Sequence, residues 1–272
     1  MTDLSLQVMS VPGRLGVTAR FADGELVLEL APTPETLHHG VVRASVLSFA
    51  VDAVAGILLD QDPETWTFTS DMSVRMRPVP APDRIDAVTT VLRRGRRSAT
   101  CRVELTSADG TPVATGAVGF VTVPRRDGDP PKPVLSPEDA PLVFRGLGRL
   151  SRPLRQEAGI VVLDAAEGVV EVPVTPAIRN PAGTLQGAMV ALLAESATEE
   201  LVAARFGVRA VVADLDLRYL GQAKDGPVRT AARLLGDTPD APVEVELTDT
   251  TTGTVTTLVY ARAVVLPEVR RP

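Results

Sequence analysis

The sequence predicts an α+β protein made of two copies of one unit, each an antiparallel sheet curved around a single central helix. Three observations predict it. The chain lines up with itself at a shift of 143 residues: Ser70-Asp-Met-Ser-Val-Arg75 falls on Ala213-Asp-Leu-Asp-Leu-Arg218, Gly40 on Gly183, Gly110 on Gly253, and Val123-Pro124 on Leu266-Pro267. Val103-Glu-Leu-Thr106 matches Val245-Glu-Leu-Thr248 one deletion away. Each copy also holds one long apolar run with a single carboxylate at the matching point, Asp52 in the first and Glu195 in the second. The segments around those runs alternate apolar and polar residues and are punctuated by Gly, Pro and Asp-Gly turns. Self-similarity at this period explains the length of 272 residues better than one large domain does.

The elements follow in order. Half one, residues 1–126, opens with strands at 15–21 and 25–30 joined by Asp23-Gly24. A loop with Pro32, Pro34, His38, His39 and Gly40 leads into an apolar run from Val41 to Leu59, read as a helix buried on nearly all sides. Strands are expected at 66–76, 84–93, 98–106 and 112–123, with Asp109-Gly110 turning the last pair. Half two, residues 151–272, repeats the order: strands near 159–164 and 168–174, a helix from 185 to 206, then strands near 208–219, 227–235, 242–249 and 254–266. Residues 127–150 are read as a Pro-rich linker. The stretch from Pro124 to Pro141 carries six prolines and several charges, which predicts an extended connection. Residues 142–158 are read as adding a short helix that caps half two. A helix as apolar as 41–59 needs burial on most faces, and a strongly curved sheet provides it. That is the hotdog architecture. Two fused copies would form a tandem, or double, hotdog, with sheets paired edge to edge and helices back to back.

Composition bounds the function classes. The chain is 44% hydrophobic with 3% aromatics, so its core is mostly Val, Leu and Ala. A net charge of −6 and a pI near 5.1 argue against nucleic acid as a partner. The longest apolar stretch, 44–59, is broken by Asp52 and is short for a bilayer span. The N-terminal Met1-Thr-Asp-Leu-Ser-Leu-Gln7 lacks the basic start and apolar run of a signal peptide, and a single cysteine, Cys101, suits a reducing cytoplasm. Cys101 and Trp66 are read as packing residues.

Around the second helix the sequence reads Asn180-Pro-Ala-Gly183-Thr-Leu-Gln186-Gly187-Ala188, then seven residues from Ala188 to Glu195. This resembles the phenylacetyl-CoA thioesterase-like branch of the hotdog acyl-CoA thioesterases, whose pattern runs Asn, two residues, Gly, two residues, His-Gly-Gly, then seven residues to an Asp or Glu. Asn180, Gly183, Gly187 and Glu195 fall in register, while Gln186 stands in place of the His and Ala188 in place of the second Gly. The first copy keeps only Gly40 and Asp52, with Arg43-Ala44-Ser45 in place of His-Gly-Gly. A Gly95-Arg96 turn followed by the Asp109-Gly110 hairpin is similar to that family as well.

The resemblance implies thioester hydrolysis, with the Asn and Gly from one hotdog and the acid from its partner. The chemistry suits the parts. A helix N-terminus presents free amides and partial positive charge to a carbonyl oxygen, Gly187 permits close approach, and a carboxylate one to two turns into a helix serves as general base or nucleophile. Site one would combine Asn180, Gln186 and Gly187 with Asp52 and Thr69, whose hydroxyl orients the water in the family. Site two would combine the 38–45 loop with Glu195, but Val212 stands where Thr69 does and the Asn and Gly are missing. One live site is therefore expected, completed within one chain acting as a pseudo-dimer, with homo-oligomers left open.

Plainer readings stand beside these. Asp52 and Glu195 could be structural carboxylates, and His38-His39 falls in the loop before the helix at the wrong spacing for the motif. Adjacent histidines with no third ligand are a poor metal set. Arg93, Arg94, Arg96 and Arg97 form either a solvated turn or a dock for coenzyme A phosphates. No cofactor is expected beyond the coenzyme A carried by an acyl-CoA substrate. The alternatives are an acyl-CoA binding protein without chemistry and a double-hotdog hydratase or dehydratase. The second is disfavoured because both histidines lie outside the helix.

Overall fold

The computed structural model describes residues 10–145 and 147–267; the stretch from Met1 to Gln7, read above for a leader, lies outside them. Half one comprises β1 (Val17–Ala22), β2 (Glu25–Leu30), the short β3 (Leu37–His38) and β4 (Val41–Val42), helix α1 (Ala44–Leu59), then β5 (Thr65–Met76), β6 (Ile85–Arg94), β7 (Ser98–Ser107) and β8 (Pro112–Pro124). Short helices α2 (Ala140–Arg145) and α3 (Leu154–Ala158) follow. Half two comprises β9 (Val161–Asp164), β10 (Val169–Val172), α4 (Gly187–Phe206), β11 (Ala210–Tyr219), β12 (Val228–Leu234), β13 (Val243–Asp249) and β14 (Thr254–Val265).

Twelve strands form one sheet in the order β1-β2-β6-β7-β8-β5-β11-β14-β13-β12-β10-β9. Read inward from either edge, the order is the same succession of corresponding strands. The halves meet at β5 and β11, which pair antiparallel with Arg75 opposite Asp214 and Asp71 opposite Arg218. These are the residues that the repeat equates, so the seam opposes acid to base on both sides of the junction. Arg75 reaches Asp216 at 2.6 Å and Asp214 at 3.9 Å.

Both long helices lie in the concave faces, and each begins at the same repeat position, Ala44 and Gly187. Helix α1 starts three residues later than its apolar run. Val41 and Val42 form β4 instead, because His39 and Gly40 adopt φ of 52° and 83° and close a tight hairpin onto β3. Residues Ala44 to Val51 are all buried. Gly116 of β8 makes room for this: a Cβ there would lie 2.6 Å from Val51 Cγ2, so only glycine lets α1 settle onto the strand. The ladder of β5 shifts register between Thr69 and Asp71, and that of β11 between Val212 and Asp214. Each shift is a bulge at the same point of the repeat. In β5 it turns the Thr69 side chain inward, beside Phe120 and toward α1.

The connection between the halves departs from the extended linker expected. It is strapped to half one. Lys132, fully buried, donates to Asp60 Oδ1 at 2.6 Å, Asp62 O at 2.7 Å and Thr65 O at 2.6 Å. Trp66 Nε1 donates to Asp129 Oδ2 at 3.2 Å, and Gln61 Nε2 to Leu135 O at 2.9 Å. Three acceptors for one ammonium give a proline-rich chain, poor in its own backbone donors, a fixed course. The single short helix expected over 142–158 is also corrected. It is two helices, of which α2 packs on β1 of half one and only α3 packs on α4 of half two. Among the described residues no helix is long and apolar enough to cross a membrane.

Replacing Lys132 with Met should lower stability by about 2–3 kcal/mol, because the Asp60 carboxylate and two carbonyls lose their donor. Urea unfolding measures this. An unchanged midpoint would show that the strap does not depend on the lysine.

Candidate active site

Helix α1 and helix α4 lie against each other so that the ninth residue of each faces the first turn of the other. At the start of α4, Gln186 is the N-cap, and its Oε1 accepts the Ala188 N–H at 2.7 Å. The Gly187 N–H is one of the amides that a helix start leaves without an intrahelical acceptor. Facing it from half one is Asp52: a Cβ built on Gly187 would stand 3.6 Å from Asp52 Oδ2. Asp52 is held back from the amides by Thr69, whose hydroxyl donates to Asp52 Oδ1 at 2.5 Å. Asn180 completes the loop before the helix. Its Oδ1 accepts the Thr184 N–H at 3.1 Å, and its backbone N–H bonds Thr184 O at 2.8 Å. Asp52, Thr69, Asn180, Gln186 and Gly187 all line one cavity of about 490 Å³. The bulge in β5 and the turn before α4 are what bring them there from opposite halves.

Burial pushes the Asp52 carboxyl above the ordinary aspartate range, and the Thr69 hydrogen bond works against that shift. Tyr219, which was not singled out in the sequence, joins the site from β11. Its hydroxyl donates to Gly187 O at 3.2 Å. Burial, and then the charge of Asp52, hold its phenol well above the ordinary tyrosine range, so it is a neutral donor. The signal was available: Tyr219 is one of two tyrosines in an aromatic-poor chain, and it stands where half one has Met76.

The second contact between the two helices is arranged otherwise. Glu195 reaches the start of α1, where its Oε1 accepts the Ala44 N–H at 2.8 Å and its Oε2 accepts the Ser45 N–H at 3.4 Å and the Ser45 hydroxyl at 2.5 Å. The carboxylate thus occupies the amides that a substrate carbonyl would need. Around it, Arg43 lies 3.0 Å from Glu199 and 3.7 Å from Glu195, and His38 Nε2 lies 3.5 Å from Glu199. Burial works against the charge of Arg43, but Glu199 and Glu195 more than restore it. Burial drives Glu199 the other way, up to about 7. One of its oxygens, Oε1, is buried with no hydrogen-bond partner among the described residues. His38 is pushed down to about 3 by burial and by the charge of Arg43. The first helix turn of half one is therefore filled by a cluster of the protein's own charges.

Arg93, Arg94, Arg96 and Arg97 sit on the exposed turn between β6 and β7. None of them lines the cavity. The turn stands beside its rim all the same, since Ser98 pairs with Val121 of β8, and Val121 pairs with Phe68 of β5; Val121 and Phe68 both line it.

A sequence model described as the thioesterase superfamily matches residues 35–114, a span that holds α1, Asp52, Thr69 and the arginine turn. No curated protein matches the chain in sequence. Solved structures share its architecture. An acyl-ACP thioesterase from Bacteroides thetaiotaomicron superposes with a TM-score of 0.60 at 12% identity, covering 88% of this chain and 97% of that one. A hot dog fold protein from Alicyclobacillus acidocaldarius superposes at 0.61 and 13% identity, covering 93% and 97%. The chain is a tandem hotdog. The 12:0-ACP thioesterase from Umbellularia californica shares the fold at 0.61 and 9% identity, covering 91% and 100%. At such identities the tandem hotdog is what is common, and the site must be argued from its own residues.

The charge cluster at the start of α1 gives a stability signature. With Glu199 raised from 4.5 to about 7, the folded chain holds this proton more tightly than the unfolded chain does. Its contribution is fully present below about pH 4.5 and is lost as pH rises through 7. His38 acts with the opposite sign between about 3 and 6.5, so the comparison is made against a variant that keeps the histidine. Glu199→Gln should gain stability relative to the parent as pH rises from 5 to 8, on the order of 2–3 kcal/mol. Denaturant titrations at several pH values measure it, and parallel curves for the two proteins would contradict it.

Proposed function

We propose that the protein hydrolyses acyl thioesters, with acyl-CoA as substrate, at one site shared between its halves. The observation that carries this reading is the gap between Asp52 and the start of α4. A carboxylate, braced by a hydroxyl and raised by burial, faces an unpaired helix-terminal amide across an open cavity. The equivalent gap at the start of α1 is closed by Glu195.

The chemistry follows from the positions. The thioester carbonyl oxygen takes the Gly187 N–H, where the helix dipole and the amide stabilise negative charge as it develops; one such donor contributes about 3 kcal/mol. Asp52 takes a proton from water, whose oxygen bonds to the carbonyl carbon. The oxyanion then collapses, the carbon–sulfur bond breaks, and the thiolate leaves with the proton that Asp52 held. Thr69 fixes the Asp52 carboxylate so that its free oxygen points to the water. Tyr219 bonds the Gly187 carbonyl, in the peptide unit after the donating amide, and so helps fix the first turn of α4. Asn180 and Gln186 shape the approach and hold the helix start open. No resident cofactor is called for. A second reading, an acyl-CoA binding protein without hydrolysis, is favoured by Gln186, which caps α4 where the family pattern has a His.

Two substitutions of one residue test the proposal. Asp52→Asn should cost about 100-fold or more in turnover. Asp52→Glu restores the charge but lengthens the arm by about 1.5 Å, enough to reach the α4 amides as Glu195 reaches those of α1; activity should fall as far while stability holds or rises. Release of free thiol from an acyl-CoA panel provides the assay. An active Asp52→Glu protein would count against the gap as the essential feature. In the parent, activity should fall as pH drops through a value above the ordinary aspartate range, and that acid limb should be missing from any residual activity of Asp52→Asn. Glu195→Gln should leave turnover within a few-fold of the parent.

A further inference from the structure

The cavity runs on beyond the reacting atoms. Asp52, Ala53, Gly56, Ile57 and Asp60 all line it, a spacing that places them on one stripe of α1. Between Asp52 and Asp60 the helix rises about 12 Å. The sheet leaves this stripe uncovered: Ala53, Gly56 and Ile57 are half-buried, whereas Val51, Val54 and Ala55 are fully buried. A Cβ built on Gly56 meets no heavy atom within 4 Å, so the space above the helix is open.

Beside Trp66, Phe68, Phe120 and Val121 of half one, the wall includes four residues from outside both hotdogs, Pro133, Leu135, Phe144 and Leu147 of the connecting stretch, whose course the Lys132 anchor at Asp60 fixes. All four are apolar. Polar residues line it around the start of α4, with Asn180, Gln186 and Gln222, and again at Asp60 and Thr67 beside the Lys132 anchor. Asp52 stands between the two regions. In half two the stripe is different at the decisive position: the counterpart of Gly56 is Glu199, buried and paired with Arg43. The groove over α4 is filled where the groove over α1 is open.

We infer that the groove over α1 is an acyl-chain chamber whose outer wall includes the interdomain linker, and that it takes a straight, medium-length apolar chain. The inference rests on the thioester reading for its reacting end. An extended chain advances roughly 1.3 Å per carbon, the projection of a C–C bond of about 1.5 Å, so the stripe accommodates about eight to ten carbons. A much shorter chain leaves apolar wall in contact with water. A much longer one runs onto the Asp60–Lys132 ion pair, which it cannot solvate. The polar lining at the start of α4 gives the thiol-bearing arm its exit past that helix start.

Binding of straight-chain fatty acids from four to sixteen carbons, measured by calorimetry on the full chain, tests the chamber without relying on catalysis. Hydrolysis of the matching acyl-CoA series is run in parallel. Affinity of the parent should rise with each carbon to about eight to ten and then level off. Gly56→Leu, whose new side chain enters open space halfway along the stripe, should lower that limit by about four carbons, because about 6 Å of the groove lies beyond it. Leu135→Ala, a change outside both hotdogs, should raise it. Circular dichroism confirms that both variants fold. Absence of fatty-acid binding by the parent, or a limit that neither variant moves, would overturn the inference. The expected binding pattern without thiol release would keep the chamber and remove the thioesterase. Thiol release with a chain-length optimum indifferent to both variants would do the reverse.

Discussion

Everything about this protein turns on a reciprocal contact: the carboxylate in the middle of each long helix faces the first turn of the other. The contact follows from the seam. Because β5 and β11 pair antiparallel at the centre of one continuous sheet, the two helices are brought together in opposite senses, and a residue nine positions into one comes level with the start of the other. A helix start carries unpaired amides and partial positive charge, so a carboxylate placed there is attracted in either half. The fold thus supplies two equivalent electrostatic meeting points before any chemistry is chosen.

One methylene separates their fates. Glu195 is long enough to reach the amides of Ala44 and Ser45 and satisfies them directly. Asp52 is shorter and is tied to Thr69, so it lines the cavity beside Gly187 without capping the amides of α4. The neighbouring positions agree with this division. Val212 replaces the hydroxyl where none is needed, and over α4 Glu199 with Arg43 fills the position that Gly56 leaves empty over α1. Site two is in this sense a clasp between the halves, made from the same positions that form a cavity in site one.

Much of this was legible in the sequence, and for physical reasons. The repeat placed both helices, and Asp52 and Glu195 do stand at matching positions because the apolar runs and Gly40 and Gly183 keep a fixed offset from them. The central strands could be read because each buries one face and alternates accordingly. What escaped reading depended on three-dimensional partners. The proline-rich stretch looked like a free linker because nothing local shows that Lys132 will find Asp60 and two carbonyls. Tyr219 lies 32 residues from the glycine whose carbonyl it holds. The capping of α1 by Glu195 spans 151 residues, and a buried glutamate in an apolar run carries no local mark of whether it will serve as a base or as a cap.

Fusion of the two hotdogs makes this asymmetry possible. In a dimer of identical chains a change that closes one helix start closes both, and a change that opens one groove opens both. In a single chain the costs can be separated. A raised, half-buried carboxylate such as Asp52, an uncapped amide at Gly187 and an open groove over α1 each weaken the fold locally, as functional sites do. The second contact between the helices offsets them at the equivalent positions: the start of α1 is capped by Glu195, the position over α4 that matches Gly56 is filled by Glu199, and Arg43 binds both glutamates across the interface. The stabilising cluster lies where the repeat would have put a second site, so it holds the same pair of helices whose mutual placement sets the gap at Asp52. Both contacts thus bear on one α1–α4 packing, with the capped end and the open end joined by the same two helices.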